Sequence, residues 1–474
     1  MLELALSAAV FLAAVCASVH AVIYKREPRA AALWVIVIWL VPVVGPLLYV
    51  FLGVNRMRRQ AAAMRSEMGY QHIAPPSDTS LQPGTALLPE GEPLRAFAHL
   101  VERVTERPLL PGNHVVPLVD GAETFPAMLD AIGSASQSIG LATYIFDGED
   151  IGKLFIEALA KAQSRGVDVR VLIDAVGATY SWPPVARRLR EHGISVALFN
   201  PRLIPRWLPA INLRNHRKIL VVDGKSGFTG GINIKREYWN PDAEVPLFRD
   251  LHFHLAGPVV AHLSEVFVDD WQFATGVTLR GDKWFPMLPP AGEMLARGVE
   301  AGPDERFERL RWVILGALNA ARRSVRIMTP YFLPDTGIIS ALNTAAMRGV
   351  EIHILLPEHS NLPYVHWATF GLLWQVLERG CRVWLGSGEF DHSKIMIVDE
   401  AWCLLGSANW DARSLRLNFE FNVECHSPAL AQKLHPLVEE RLATARGLSL
   451  AEVDGRSLPI KLRDGIARLF TPYL

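Results

Sequence analysis

The sequence has little of what a disulfide-stabilised or zinc-binding protein needs. It has four cysteines in 474 residues, Cys16, Cys381, Cys403 and Cys425, and no two stand at a short paired spacing. Disulfide frameworks and zinc sites are recognised by such spacings, so we expect neither. A reducing compartment is compatible with this cysteine usage.

The chain also lacks an excess of charge of either sign. Lysine and arginine number 48, and aspartate and glutamate number 48. An enzyme that acts on nucleic acid normally carries a basic surface, so the balance argues against that class. No cluster of acidic residues indicates a metal site, and we expect no metal and no cofactor.

Two stretches near the N-terminus lack charge altogether, residues 4–24 and 30–54. Each is long enough to span a bilayer. A cleaved signal peptide is disfavoured for the first stretch, because Glu3 is the only charge before it and no positive region precedes it. The second stretch carries Pro42, Gly45 and Pro46, which favour either a kinked spanning helix or a re-entrant hairpin.

Basic residues flank the second stretch on both sides. The positive-inside rule therefore draws both flanks to the cytoplasm, which only a re-entrant segment allows. If both stretches span, one basic cluster is misplaced. The basic residues are Lys25, Arg26 and Arg29 before the stretch, and Arg56, Arg58, Arg59 and Arg65 after it.

The most informative feature is a motif that occurs twice. Residues 215–223 read Asn-His-Arg-Lys-Ile-Leu-Val-Val-Asp, and residues 391–399 read Asp-His-Ser-Lys-Ile-Met-Ile-Val-Asp. Both contain the pattern H-x-K-x4-D. Each is followed by a turn of small residues that ends in an asparagine, Asn233 or Asn409, 17 residues after the histidine in both cases.

The spacing of the motif has a chemical meaning. The four apolar residues between lysine and aspartate predict a strand buried on both faces. Histidine and lysine stand two residues apart, so on an extended chain they point to the same side. An imidazole beside a fixed cation suits an anionic phosphoryl centre, because histidine attacks or transfers a proton while lysine holds the oxygens. The two asparagines would add neutral donors.

The motifs lie within an internal duplication with a period near 180 residues. Residues 164–169 correspond to 347–352, and 144–146 correspond to 331–333. Alternating helix and strand patterns in both copies predict an α/β fold, with two duplicated halves around a pseudo-two-fold axis. We predict membrane segments in residues 1–60, a linker over 61–113, a first half over 114–290, and a second half over 291–474 that ends in a helical tail.

The paired motifs resemble the phospholipase D superfamily, and with the N-terminal segments the chain resembles its bacterial cardiolipin synthases. The resemblance implies a phosphatidyltransferase that moves a phosphatidyl group between two phosphatidylglycerol molecules through a phosphohistidine. It implies phospholipid partners, no nucleic acid, and a place in the bacterial inner membrane with the catalytic part facing the cytoplasm. By resemblance, His216 is the nucleophile and His392 the acid and base; symmetry of the sequence leaves that choice open.

The resulting candidate residues fall into three groups. The catalytic motif positions are His216, Lys218, Asp223, His392, Lys394 and Asp399. Within this group, Asp223 and Asp399 follow their apolar runs, so we expect them to bond turn backbone. Substrate contacts are expected from Asn233, Asn409 and Arg413. Each histidine needs a carboxylate to orient its ring; the candidates are Asp250 for the first half and Glu420 for the second.

Two further segments are candidates for lipid contact. The loop at residues 203–209 mixes apolar and basic side chains and suits anionic head groups, although an ordinary packed loop fits equally. Residues 363–377 predict one helix with an aromatic stripe, for which core packing and acyl-chain contact are both open. A phospholipid hydrolase is the main alternative function, followed by a nucleic-acid phosphodiesterase; a non-catalytic scaffold is disfavoured because both motifs are intact.

Overall fold

A computed structural model provides the three-dimensional structure of the chain. The structure describes residues 1–25, 27–53, 84–200, 213–239, 248–303 and 306–471. The chain divides into two compact units, of which the smaller contains residues 1–63 and 204–212, and the larger contains residues 64–203 and 213–474. The predicted lipid-contact loop at residues 203–209 lies outside the described residues.

The described part of the small unit consists of helix α1 (Leu2–Tyr24), helix α2 (Pro28–Leu40), a short helix α3 (Val44–Leu48) and a π-helical turn at Tyr49–Gly53. Among the described residues, α1 is the one helix that is long and apolar enough to cross a membrane. The prediction of two membrane segments is therefore supported only for the first.

The second apolar stretch is broken into pieces. Helix α2 has 13 residues and ends at Leu40, so it covers about 20 Å, short of the ~30 Å hydrocarbon core. Pro42 explains the break, because the residue before a proline avoids the helical conformation and proline lacks the donor that continues a helix. Beyond the break the chain returns toward α1, where the Tyr49 hydroxyl lies 2.8 Å from His20 Nδ1.

The large unit is built on one extended mixed sheet. The strands of the large unit are β1 (Leu110–Val119), β2 (Ser138–Thr143), β3 (Asp168–Asp174), β4 (Ser195–Phe199), β5 (Arg214–Asn215), β6 (Ile219–Val222), β7 (Ser226–Gly230), β8 (Phe248–Arg249), β9 (Leu251–Ala256), β10 (Met294–Ala301), β11 (Ser324–Met328), β12 (Glu351–Pro357), β13 (Arg382–Gly386), β14 (Phe390–Asp391), β15 (Ile395–Val398), β16 (Trp402–Gly406), β17 (Asn418–His426) and β18 (Arg446–Leu448). Sixteen of them form the extended sheet, and β8 and β14 pair with each other in a separate two-stranded sheet.

Helices cover this sheet. They are α4 (Pro93–Thr105), α5 (Asp120–Ser134), α6 (Ile151–Ser164), α7 (Val185–Glu191), α8 (Val260–Thr275), α9 (Arg309–Ala320), α10 (Thr336–Met347), α11 (Pro363–Phe370), α12 (Trp374–Leu377), α13 (Ala412–Arg416), α14 (Pro428–Thr444), α15 (Leu450–Gly455) and α16 (Leu458–Leu469).

The strand order displays the duplication. One half contributes β4-β3-β2-β6-β7-β9-β1, and the other contributes β18-β13-β12-β11-β15-β16-β17-β10. Apart from β18, every strand has a counterpart at the same place in the other half, and antiparallel pairing of β1 with β10 joins the two. This mirrored order is the one expected for two copies related by a two-fold axis, and it agrees with the predicted duplicated α/β fold. Each half has its own apolar core.

The predicted boundary at residue 114 falls inside β1. Part of the expected linker belongs to the large unit, because Phe97 and Val101 of α4 are buried in the core of the second half. Arg297 fixes the same helix by donating to the carbonyl oxygens of Ala98 and Arg107 at 2.9 and 3.0 Å.

The predicted helix over residues 363–377 is two helices, α11 and α12, separated by a turn at residues 371–373. Gly371 lies in that turn, and a side chain there would meet the backbone of Asp464 at 2.8 Å. Close approach of the C-terminal segment therefore requires glycine at this position. In the C-terminal part, Pro459 stands in the first turn of α16, a position that suits proline because no intrahelical donor is needed there.

Candidate active site

The two motifs occupy equivalent places in the two halves. Strands β6 and β15 are the predicted apolar runs, and all four residues of each are buried. Each histidine lies just before its strand, and a short segment preceding it pairs with the opposite half. Segment β5 pairs with the start of β17, with Asn215 opposite Phe419, and β14 pairs with β8, with Asp391 opposite Arg249.

This pairing brings each histidine to a carboxylate of the other half. The amide of His216 donates to the Phe419 carbonyl at 2.9 Å, and its Nδ1 lies 2.9 Å from Glu420 Oε1. His392 Nδ1 lies 3.0 Å from Asp250 Oδ2. The expectation that each carboxylate serves its own half is wrong: the parallel pairings place Glu420 beside His216 and Asp250 beside His392. The two halves therefore build one site together.

The two carboxylates have different neighbours. Glu420 accepts a hydrogen bond from the Ser407 hydroxyl at 2.5 Å and one from the Asn418 amide at 3.3 Å. The position equivalent to Ser407 is Gly231, which has no side chain to donate and lies against the Asp250 carboxylate. The Leu251 amide donates to Oδ1 of Asp250 at 2.8 Å.

These neighbours move the two pKa values in opposite directions. Burial opposes ionisation of Glu420, but His216 and Lys218 hold the pKa of Glu420 below its usual value. Burial dominates at Asp250 and raises its pKa to about 8, although Lys394 acts in the other direction. Burial also lowers the pKa of both histidines, most strongly that of His392, so each imidazole is neutral near pH 7.

The two lysines lie close to both histidines. Each ammonium donates to the carbonyl oxygen of its own motif histidine, for Lys218 at 2.7 Å. Burial lowers the pKa of Lys218 to about 7 and that of Lys394 to about 8. Each lysine also lowers the pKa of the other half's histidine, which places all four groups in one electrostatic environment. An anion entering between them would restore the charged form of both lysines.

Comparison with known proteins agrees with this geometry. A family model described as "Cardiolipin synthase, PLD-like domain" matches residues 128–271 and 314–442. A second, "Phospholipase D-nuclease N-terminal", matches residues 9–53. Cardiolipin synthase from Geobacillus sp. (strain WCH70) is 31% identical over 455 residues, which cover 95% of this chain and 90% of that protein. The chain belongs to the cardiolipin synthase family.

Two other relatives fit the same assignment. The major cardiolipin synthase ClsA of Bacillus subtilis (strain 168) is 30% identical, with 95% of each chain covered. A crystal structure of phosphatidylserine synthase from Haemophilus influenzae Rd KW20 superimposes with a TM-score of 0.60 at 16% identity, covering 80% of this chain and 100% of the other. That likeness concerns the fold. As a member of the cardiolipin synthase family, the chain is a phosphatidyltransferase of the phospholipase D superfamily, and its apolar N-terminal helix fits membrane anchoring.

The three residues predicted to contact the substrate follow the two motifs along the chain of this cardiolipin synthase family member. Asn233 and Asn409 are both buried; Asn233 Oδ1 accepts from the Ile145 amide at 3.2 Å, and Asn409 hydrogen-bonds Asp411. Asp411 caps helix α13 by accepting from the Ser414 amide at 2.6 Å. Arg413 stands in the first turn of that helix and is half-buried.

The motif aspartates lie away from the histidines. Asp223 follows β6 and accepts from the amides of Ser136, Gln137 and Ser138 at 2.7–2.9 Å. Asp399 does the same with the amides of residues 322–324 at 2.7–2.9 Å. The intervening strand of four residues spans about 13 Å. The expectation that both aspartates bond turn backbone is confirmed, since each binds the turn between a helix and a strand. Their inclusion in the catalytic group is corrected accordingly.

We expect Asp223→Ala to reduce stability and to leave the chemistry intact. The substitution leaves three backbone amides without their acceptor, and we expect a loss of about 2 kcal/mol in the free energy of unfolding. The midpoint of urea unfolding measures this, beside activity per folded molecule. Exposed Asp130 of α5 provides the matched control, Asp130→Ala, which should change neither value. Loss of activity in fully folded Asp223→Ala protein would contradict the structural role.

Several neighbours of the site were not predicted from the sequence. Tyr238 is a first-half residue whose hydroxyl lies 3.0 Å from His392 Nδ1. Tyr144 and Tyr331 place their rings 5.3 and 6.3 Å from the rings of His216 and His392. The correspondence of these two tyrosines was visible in the duplication, but it carried no chemical signal. Nothing in the sequence singled out Tyr238.

Arg217 was also missed, although it stands inside the first motif. Its side chain is fully buried on the face opposite to the catalytic pair. It donates to Asp270 of helix α8 at 2.5 Å and to the backbone carbonyl of Glu420 at 3.2 Å. Through these bonds the arginine ties the His216 segment to α8 and to the strand that carries its carboxylate partner.

Proposed function

We propose that this protein makes cardiolipin and glycerol from two molecules of phosphatidylglycerol. His216 Nε2 attacks the phosphorus of the first molecule, and glycerol leaves with a proton supplied by His392. The free glycerol hydroxyl of the second molecule then attacks the phosphohistidine and gives its proton back to His392. The bond from phosphorus to the first glycerol is broken and replaced by one to the second, so no other reactant is needed.

The different states of the two carboxylates support these roles. Ionised Glu420 accepts the Nδ1 proton of His216, which leaves the Nε2 lone pair of His216 free for attack. Asp250, with its pKa raised to about 8, holds a proton near pH 7. The O–H of the protonated Asp250 carboxyl donates a hydrogen bond to Nδ1 of neutral His392. His392 therefore carries its own proton on Nε2 and serves as the acid.

Proton movement then balances across the two steps. When His392 gives its Nε2 proton to the leaving glycerol, the Asp250 proton moves to Nδ1. His392 remains neutral and now offers a basic Nε2 for the second alcohol. Transfer from that alcohol returns the second proton to Asp250 and restores the starting state. The 3.0 Å separation of Nδ1 and Oδ2 is short enough for this exchange.

The lysines and asparagines complete the proposal. Lys218 and Lys394 would hold the non-bridging oxygens of the phosphate, because they bring two cations into a site where burial strengthens electrostatic attraction. Asn233, Asn409 and Arg413 are proposed to add further donors. The single observation that carries the proposal is that each histidine pairs with a carboxylate of the other half. The two histidines then belong to one site, and their carboxylate partners differ in protonation because the pKa of Asp250 is raised and that of Glu420 is lowered.

A product assay tests the proposal. Purified protein in mixed micelles receives labelled phosphatidylglycerol without added metal. We expect cardiolipin and glycerol in equal amounts, and a loss of at least about 1,000-fold for His216→Ala and for His392→Ala. Phosphatidic acid as the main product would show a hydrolase instead. No turnover of the lipid would mean that the substrate is another lipid pair or a nucleic-acid phosphodiester.

For the membrane, we propose that α1 and the broken second stretch anchor the chain in the bacterial inner membrane, with the second stretch re-entrant and the catalytic unit cytoplasmic. A Pro28→Cys variant, made with Cys16→Ser, tests this by labelling with an impermeant maleimide. We expect labelling only after cells are opened, because a re-entrant segment keeps residue 28 on the cytoplasmic side. Labelling of intact cells would mean that the second stretch spans the membrane.

A further inference from the structure

Helix α16 presents its apolar side to solvent. Leu458, Leu462, Ile466 and Leu469 follow spacings of four, four and three residues, so they form one stripe along the helix. In a helix that covers a core, such a stripe faces inward. Here the four side chains are 78%, 62%, 50% and 73% exposed, and the neighbouring Phe470 is 56% exposed.

The opposite side of α16 is fixed in place, and polar contacts hold it. Asp464 and Ala467 are buried. Arg456 pairs with the Asp464 carboxylate and donates to the Phe370 carbonyl of α11 at 3.0 Å. Arg456 thus bridges Asp464 of α16 and the end of α11, and the outward direction of the stripe is a consequence of that docking.

Positive charge lies beside the stripe. Lys461, Arg463 and Arg468 are exposed, while the one acidic residue of α16 is the buried Asp464. Arg463 lies over the ring of Trp367 in α11 at 4.7 Å and pairs with the Asp464 carboxylate at 2.8 Å. Arg468 donates to the Gly371 carbonyl at 3.1 Å, so both exposed guanidinium groups are held at the borders of the helix. An apolar stripe with basic residues at its borders is the pattern of a helix that lies in the headgroup region of a membrane.

We propose that α16 is an interfacial helix that docks the catalytic unit on an anionic phospholipid surface, with the leucine–isoleucine stripe inserted and the basic residues facing the lipid phosphates. The basic border favours this occupant over a second copy of the chain, because the chain is neutral overall, with 48 basic and 48 acidic residues. This contact is separate from the N-terminal helix, and it does not depend on the proposed lipid reaction.

The position of α16 relates the surface to the site. The Tyr331 ring lies 6.3 Å from that of His392, and its hydroxyl donates to Asn361 at 2.7 Å. Asn361 is exposed and stands just before α11, the helix on which α16 packs. Tyr331 and the loop that carries Asn361 therefore connect His392 to α11, the helix on which α16 packs.

A fluorescence experiment on the full chain tests the docking. Leu462→Cys, made with Cys16→Ser, carries an environment-sensitive dye, because the other three cysteines are buried. Met347→Cys is the matched control, since Met347 is an equally exposed apolar residue (63%) on another helix. The protein is reconstituted in vesicles with about 30% phosphatidylglycerol, a content chosen to give a strongly anionic surface, with or without brominated acyl chains.

We expect brominated lipid to quench the dye at residue 462 at least about twofold and to leave the dye at residue 347 unchanged, because only the former would lie at the acyl boundary. Quenching of residue 462 by aqueous iodide instead would overturn the proposal. Protection from both quenchers would also overturn it, since that result means a protein surface, such as a second copy, covers the stripe.

A functional measurement gives a second, independent readout. We compare Leu462→Asp with Met347→Asp by the ratio of lipid turnover in anionic vesicles to turnover in detergent micelles. We expect this ratio to fall about tenfold for Leu462→Asp, because a charge in the stripe opposes insertion. Equal ratios for the two variants would overturn the docking role. The dye experiment remains decisive even if the proposed phosphatidyl transfer fails.

Discussion

We expect His216→Asn and His392→Asn to fail at different steps when the leaving group needs no acid. The substrate for this experiment is a phosphatidyl ester of p-nitrophenol, whose anion departs without a proton. His216→Asn should lose the initial burst of nitrophenol and all turnover, by at least about 10,000-fold, because the nucleophile is absent. His392→Asn should keep the burst within about tenfold and lose turnover, because no base activates the acceptor.

The intermediate gives a direct signal in the same experiment. Labelled phosphatidyl group should accumulate on His392→Asn as an acid-labile, base-stable adduct, and none should form on His216→Asn. His99→Asn is the control, since the His99 side chain is 55% exposed on α4; it should behave as the unmodified protein. The reverse pattern, with a burst retained only in His216→Asn, would make His392 the nucleophile and refute the assignment from the carboxylates.

Sequence and structure agree where the information is local. The apolar runs at residues 219–222 and 395–398 predicted the buried strands β6 and β15, because four apolar residues between charged ones have few other places in a fold. The repeated helix and strand patterns predicted the order of elements in both halves. The same local signal placed Asp223 and Asp399 at turns, where they accept from backbone amides.

The sequence does not predict side-chain contacts that depend on the pairing of segments far apart in the chain. Contact between His216 and Glu420 joins residues 204 positions apart, and no local pattern encodes the register of β5 against β17. The symmetry of the motifs made pairing within each half equally plausible. The second apolar stretch is a different case. Its length predicted a membrane segment, but Pro42, which the sequence already marked as a kink or turn, ends helix α2 at Leu40 and leaves that helix too short to span a bilayer.

Because each carboxylate pairs with the histidine of the other half, substitution of Glu420 and substitution of Asp250 should slow different steps of the reaction. Glu420→Gln should slow the nitrophenol burst by about 100-fold, because the amide no longer holds His216 with its Nε2 lone pair exposed. Asp250→Asn should leave that burst nearly unchanged and reduce turnover of phosphatidylglycerol by about 100-fold, because it cannot supply the proton that His392 passes on. If Asp250 oriented His216 and Glu420 oriented His392, the two substitutions would have the opposite effects.

The pH dependence separates this relay from a merely structural role of Asp250. Because its pKa is raised to about 8, Asp250 holds its proton below that pH and loses it above. Turnover of phosphatidylglycerol relative to the nitrophenol burst should therefore fall as pH rises through 8, by about tenfold per unit. Both rates share the titration of the lysines, so their ratio isolates the acid. In Glu420→Gln the ratio should keep this limb, since Asp250 is intact. A ratio independent of pH between 6 and 9 would mean that Asp250 orients His392 without carrying a proton.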